Sequence, residues 1–230
     1  MAVEIVEVMS ETRQRVRKRY GNLLIMRKIK LIVIVLFLIC TAFAGVAKAD
    51  AYLRGFEALE QKDYKTALYF LSMFAANGDA RANYNLGVMY REGLGVDQDD
   101  IEALTHFIAA AEDGHMLGNY AVGLAFLRGR GSDVDAEAAL FYLKEATLLG
   151  HALSPVEIGR VYFEGKLTEK DVVAAHFWWS LARDRNAPGA KESLNTLNRQ
   201  MTEAQKQQAA LRQQRCRIQT LRKCLQVSDK

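Results

Sequence analysis

The chain has 230 residues, with 31 Lys and Arg against 27 Asp and Glu and a hydrophobic fraction of 50%, enough for one domain with flanks. Its net charge of +4 misleads, because residues 1–49 hold nine Lys/Arg and three Asp/Glu. The remaining chain is −2, which excludes nucleic-acid binding argued from bulk basicity.

Leu31 to Val46 form a continuous apolar run, preceded by Arg27, Lys28 and Lys30 and followed by Ala47-Lys48-Ala49. A basic n-region, an apolar h-region and a small-x-small site describe a secretory signal peptide over 26–49, cleaved after Ala49 to leave Asp50. Met26 gives an n-region of ordinary length, so Met1 is the less natural start. Export to the periplasm or beyond is the expectation. The alternative is an uncleaved inner-membrane anchor with the Arg13–Arg19 stretch on the cytoplasmic side, although sixteen apolar residues are few for a span. Cys40 follows Ile39, not the small residue of a lipoprotein signal.

From residue 50 the chain repeats itself. Units 80–115, 116–151 and 152–187 follow one another without insertion at a spacing of 36, and a shorter unit, 50–79, leads them. Gly87, Gly123 and Gly159 coincide; so do Asp63, Asp99, Asp135 and Asp171, and Ala67, Ala103, Ala139 and Ala175. A fixed period in this range signals a solenoid. Within each unit Tyr120, Gly123, Leu124 and Leu127, or their equivalents, recur at helical spacing. A glycine corner (Gly93/Gly95, Gly129/Gly131) turns the chain. The recurring Asp then caps a second helix carrying a large residue (Leu71, Phe107, Leu143, Trp179). Gly78, Gly114, Gly150 and Asn186 close that helix.

Beyond the repeats, Pro188-Gly189 interrupt the pattern, and a helix is expected over Ala190–Gln200 with Leu194 and Leu197 inward. Thr202 with Gln205 makes a capping box for a last helix from Glu203, so 188–230 reads as capping helices with a basic tail. Residues 190–230 carry nine Lys/Arg and three Asp/Glu, leaving −8 on the solenoid. This surplus is a solvated helix face, or else a contact for an acidic surface or lipid. His106, His115, His151 and His176 do not cluster; His115 and His151 share one repeat position at a helix boundary, a structural place. No enzyme activity, cofactor or metal is expected, since the aspartates are caps and the glycines join helices rather than cradle phosphate.

The pattern running from Ala82 through Asn85, Leu86, Gly87, Tyr90, Gly93, Gly95, Val96 and Asp99 to Ala103 resembles the Sel1-like repeat family, relatives of the tetratricopeptide repeat. The resemblance covers about 52–187. Two places depart from it: Gly55 and Ala67 are twelve apart where Gly87 and Ala103 are sixteen apart, and Leu167-Thr168 stand for Gly-Val. The resemblance implies an all-α, right-handed α-solenoid of antiparallel helix pairs with a C-terminal capping helix. It implies a protein or peptide partner in a concave groove lined by the first helices. The row it selects is Tyr52, Phe56 and Leu59, then Tyr84, Val88 and Arg91, then Tyr120, Leu124 and Leu127, then Val156, Arg160 and Phe163. The bland alternative is that several of these seal the core. Cysteine-rich relatives imply a second function, peptidoglycan or β-lactam binding, although Ser-x-x-Lys is absent here. Cys216 and Cys224 have the spacing of the disulfide in those relatives. On a straight helix, however, they would stand ~12 Å apart, too far to bond unless the chain turns near Gln219-Thr220; two free thiols are the alternative.

Overall fold

The computed structural model describes residues 51–218 and 221–223. The chain divides into two compact units between Leu53 and Arg54, and the repeat array belongs to the second. The expected signal segment 1–49 and Cys224 lie outside the described residues. Among the described residues there is no strand, and no helix long and apolar enough to cross a membrane.

Residues 51–60 (α1) and Tyr64–Ala75 (α2) form the leading pair. The pairs Ala80–Glu92 (α3) with Asp100–Glu112 (α4), Met116–Arg128 (α5) with Ala136–Leu148 (α6), and Ser154–Glu164 (α7) with Val172–Asp184 (α8) follow. Ala190–Gln200 (α9) and Glu203–Ile218 (α10) end the array. The periodic aspartates start the second helices as expected. Asp63 accepts from Thr66 N at 3.2 Å, Asp99 from Ile101 N and Glu102 N at 2.9 and 3.0 Å, Asp135 from Ala138 N at 2.9 Å and Asp171 from Ala174 N at 2.8 Å. Each carboxylate satisfies donors that a helix start leaves open.

Each pair closes as a knob against a missing side chain. A Cβ added to Gly87 would lie 2.6 Å from the Phe107 ring, one at Gly123 2.6 Å from Leu143 and one at Gly159 2.5 Å from Trp179. The large residue of the second helix therefore occupies the space that the glycine of the first leaves empty. Ala103, Ala139 and Ala175 sit beside it with almost no exposed surface. The cores lie largely between successive units. One joins Leu104 and Phe107 to Val122 and Ala125, the next joins Leu140 and Leu143 to Ile158, Val161 and Trp178, and the last joins Trp179 to Leu194, Leu197, Met201 and Ala209 of the cap. Each such large side chain contributes about 1.5–3 kcal/mol on burial.

A polar rung accompanies each junction. Asn83 Nδ2 donates to Ala75 O and Asp79 O at 3.4 and 3.3 Å. Asn119, one period later, donates to Ala111 O and His115 O at 3.3 and 3.0 Å. The third unit has Pro155 at this position, which offers no such amide. Here Arg185 Nη1, from the far end of α8, donates to Thr147 O at 2.8 Å and His151 O at 3.0 Å. These are the same two carbonyls one period on.

The cap forms as expected. Thr202 N donates to Gln205 Oε1 at 2.9 Å and Gln205 N donates to Thr202 Oγ1 at 3.2 Å, while Leu194 and Leu197 are buried. α10 packs on α8. Its Arg212 guanidinium stands 5.3 Å over the Phe177 ring and 3.9 Å from Asp171, and Arg222 lies 3.4 Å from Glu145. The basic tail is thus partly spent on the array's own carboxylates. Phe177 is 4% exposed, whereas Phe141, one period earlier on α6, is 59% exposed. Cys216 is disulfide-bonded and packs against the core between the second and third units.

Candidate interaction face

The first helices hold the expected row, but much of it packs against its own unit's second helix or closing histidine. The Tyr84 ring lies 4.9 Å from the His115 ring and 5.8 Å from Phe107. Tyr120 repeats the contact 4.1 Å from His151. Phe163 stands 5.3 Å from Trp179 with the Lys170 ammonium 5.1 Å from its centroid. Val156 packs beside Ala182, Ala187 and Ala190, and its carbonyl accepts from Trp179 Nε1 at 3.0 Å. Val88 borders the Phe107 core and Leu127 the Leu143 core. Phe56 and Leu59 are half-buried, and Tyr52 belongs to the first unit. Tyr84, Val88, Tyr120, Leu127, Val156 and Phe163 thus pack against the array itself, whatever else they do.

The two histidines explain why a ring sits under each tyrosine. His115 Nδ1 accepts from Gly118 N at 3.1 Å, and His151 Nδ1 accepts from Ser154 N at 3.2 Å with Ser154 Oγ at 2.9 Å. His115 is the N-cap of α5, and His151 makes the equivalent bond one period on, two residues before Leu153, the N-cap of α7; both use the unprotonated nitrogen. Burial lowers the pKa of both; nearby Arg81 adds to this at His115 against Asp79, and Arg185 adds to it at His151. Tyr120 is shifted upward, first by burial and then by Glu157.

Three members of the row remain open to a partner, namely Arg91, Leu124 and Arg160. Arg160 is exposed but engaged, its guanidinium 2.6 Å from Glu157 and 3.3 Å from Glu164. Arg91 pairs with Glu92 at 2.7 Å and stands 5.5 Å from the Phe107 centroid. Arg91 and Leu124 border a shallow hollow, open to solvent, between α3, α4 and α5. Its apolar floor is made of Phe107, Leu124 and four further Ala and Leu side chains. Its rim adds Asp100, Arg128 and Arg130. The two further arginines escaped the sequence reading. Arg128 is one helical turn beyond Leu124 on the same face, a signal that was available. Arg130 sits in a Gly-Arg-Gly corner read only as a turn.

The Sel1 repeat family model matches residues 44–79, 80–115, 117–151 and 156–186. A Sel1 repeat protein from Oxalobacter formigenes shares the fold at a TM-score of 0.58 and 26% identity, over 62% of this chain and 59% of that one. c5321, a protective antigen present in uropathogenic Escherichia coli strains and displaying an SLR fold, is similar at a TM-score of 0.58 and 28% identity, over 64% of this chain and 32% of that one. The chain therefore spans less than two thirds of either structure's length. No curated protein matches the sequence.

Proposed function

The chain belongs to the Sel1 repeat family, and from that premise we propose that it is an exported scaffold that holds a protein or peptide against the first helices of its array. Sel1 repeats generally mediate protein–protein interaction and their scaffold is generally non-enzymatic. One observation carries the choice of face. On the α3–α5 side an apolar hollow opens between two units with cationic side chains around it, an apolar centre with arginine at its edge, residue types enriched at interfaces. Export rests on the leader-like segment ending at Ala49, and N-terminal sequencing of the secreted or periplasmic fraction should begin at Asp50.

Photocrosslinking tests the face. A benzophenone side chain placed at Leu124 should yield partner adducts in cells, while the same group at Phe141, on the outer side of α6, should yield none. Adducts from position 141 alone would move the interaction to the second helices.

A further inference from the structure

We propose that the hollow between α3, α4 and α5 is a receptor for an acidic linear peptide with one apolar anchor, a leucine-sized side chain flanked by carboxylates. This deepens the groove reading and rests on it. The floor selects the anchor. Phe107, Leu124 and the alanines around them present hydrocarbon and no hydrogen-bonding side chain, so a polar side chain would lose its water there without replacement. The rim selects the flanks. Arg91, Arg128 and Arg130 converge on one opening against a single carboxylate, Asp100.

The three guanidiniums differ in how far they are committed. Arg91 is held by Glu92 at 2.7 Å. Arg128 and Arg130 are exposed and, among the described residues, have no ion-pair or hydrogen-bond partner. Arg160 in the next unit is also exposed, but its guanidinium is taken by Glu157 and Glu164. Guanidinium forks bind carboxylates through paired N–H donors, so the two uncommitted ones fix where the peptide's charge falls. The array as a whole is acidic, net −8 over residues 50–189. A local cationic opening on such a body attracts an acidic segment only at close range, inside about 8–10 Å at ordinary ionic strength. The result is a site that discriminates by register, with the carboxylates on the arginines and the anchor in the hollow.

The test uses the full chain and three fluorescein-labelled heptapeptides, read by anisotropy: Gly-Asp-Glu-Leu-Glu-Asp-Gly, its counterpart with Lys at the four acidic places, and its counterpart with Gly for Leu. Only the first should saturate below millimolar concentration, with the other two weaker by roughly tenfold or more. Arg128→Gln with Arg130→Gln should reduce binding of the first by at least roughly tenfold with unchanged circular dichroism. Arg160→Gln should leave it unchanged. Equal binding of acidic and basic peptides, or full affinity in the double variant, overturns the proposal. If the acidic peptide fails while Leu124 crosslinks persist, the peptide class is wrong and the face stands. If both fail, the face falls with it.

Discussion

The junction between the first two full units and the junction between the second and third solve one problem with different residues. At the former, Asn119 reaches back to the carbonyls of Ala111 and His115, eight and four residues away. At the latter, Arg185 crosses 38 and 34 residues to reach Thr147 and His151. The requirement is set by the backbone. The last turn of each second helix ends against the next unit, where Ala111 O and Thr147 O each keep one backbone donor, Gly114 N at 2.9 Å and Gly150 N at 3.0 Å, and the side chain supplies a second, a bond of about 0.5–1.5 kcal/mol. The repeat therefore conserves the acceptor pair and lets the donor vary. A local donor ties a unit to its predecessor through its own first turn, whereas a distant one makes that tie depend on the whole third unit being folded.

The largest effect expected is one that ignores this difference. Ala139→Glu places a carboxylate where no surface is exposed, on the face of α6 that meets α5, and should cost more than about 4 kcal/mol. Both tryptophans of the chain lie in α8, so their fluorescence reports the third unit while circular dichroism reports all. The two signals should be lost together, because the third unit leans on the second. A surviving tryptophan transition would show that the distant tie does not couple them.

Arg185→Ala is the intermediate case and sharpens the comparison. His151 O loses the Arg185 donor while Thr147 O keeps Gly150 N at 3.0 Å, and the expected cost is about 1–2 kcal/mol, seen as a lowered melting temperature and faster amide exchange in α6 and α7. Adding Pro155→Asn restores the local type of rung and should recover roughly half of it. In a background that keeps Arg185, the same Asn should gain little. No recovery would mean that the α7 start cannot be treated as equivalent to the α5 start.

This division also marks how much could be read in advance. The aspartate caps, the glycine–large-residue pairs and the capping box were legible because partner and position both recur at 36 residues. Asn83 and Asn119 recur too, but their rung went unread, although a polar residue kept on an otherwise apolar stripe was a signal. Arg185 was not, since it replaces a residue at a different repeat position and only three dimensions bring it to Thr147. The expected row lies along the first helices. Sequence could not tell which of them turn into the junction, because a half-buried tyrosine over histidine and a presented tyrosine have the same spacing. Cys216 was visible as a candidate for a disulfide, while its proposed mate Cys224 lies beyond the described residues.

The smallest effect expected comes from pH. His106, His115, His151 and His176 are all lowered, each first of all by burial. An unfolded chain binds these protons near the ordinary value of about 6.5, and the folded chain resists them. Stability from this source is therefore full above that value and falls as the pH drops through it toward the lower folded values. Between pH 7.5 and 5.5 the melting temperature should fall by about 2–5 °C, in a range where Asp63 and Glu164, lowered in pKa, stay ionised. His115→Asp keeps a cap without a titration in that range and should flatten the curve. An unchanged slope would place the acid sensitivity elsewhere than the junction between the first two full units.

Phe177 beneath α10 fixes where the array can grow. The outer face of α8 is fitted to Arg212 and the closing helix, so a unit added after residue 187 would strip that cover and leave an aromatic ring with no lid. A second copy of residues 116–151 inserted after His151 meets neither difficulty. Its Asn would face Thr147 O and His151 O, its own His would be met by Arg185, and its Tyr would find a ring to lie against. The solenoid is thus extensible from within by multiples of 36 residues and closed at its carboxyl end.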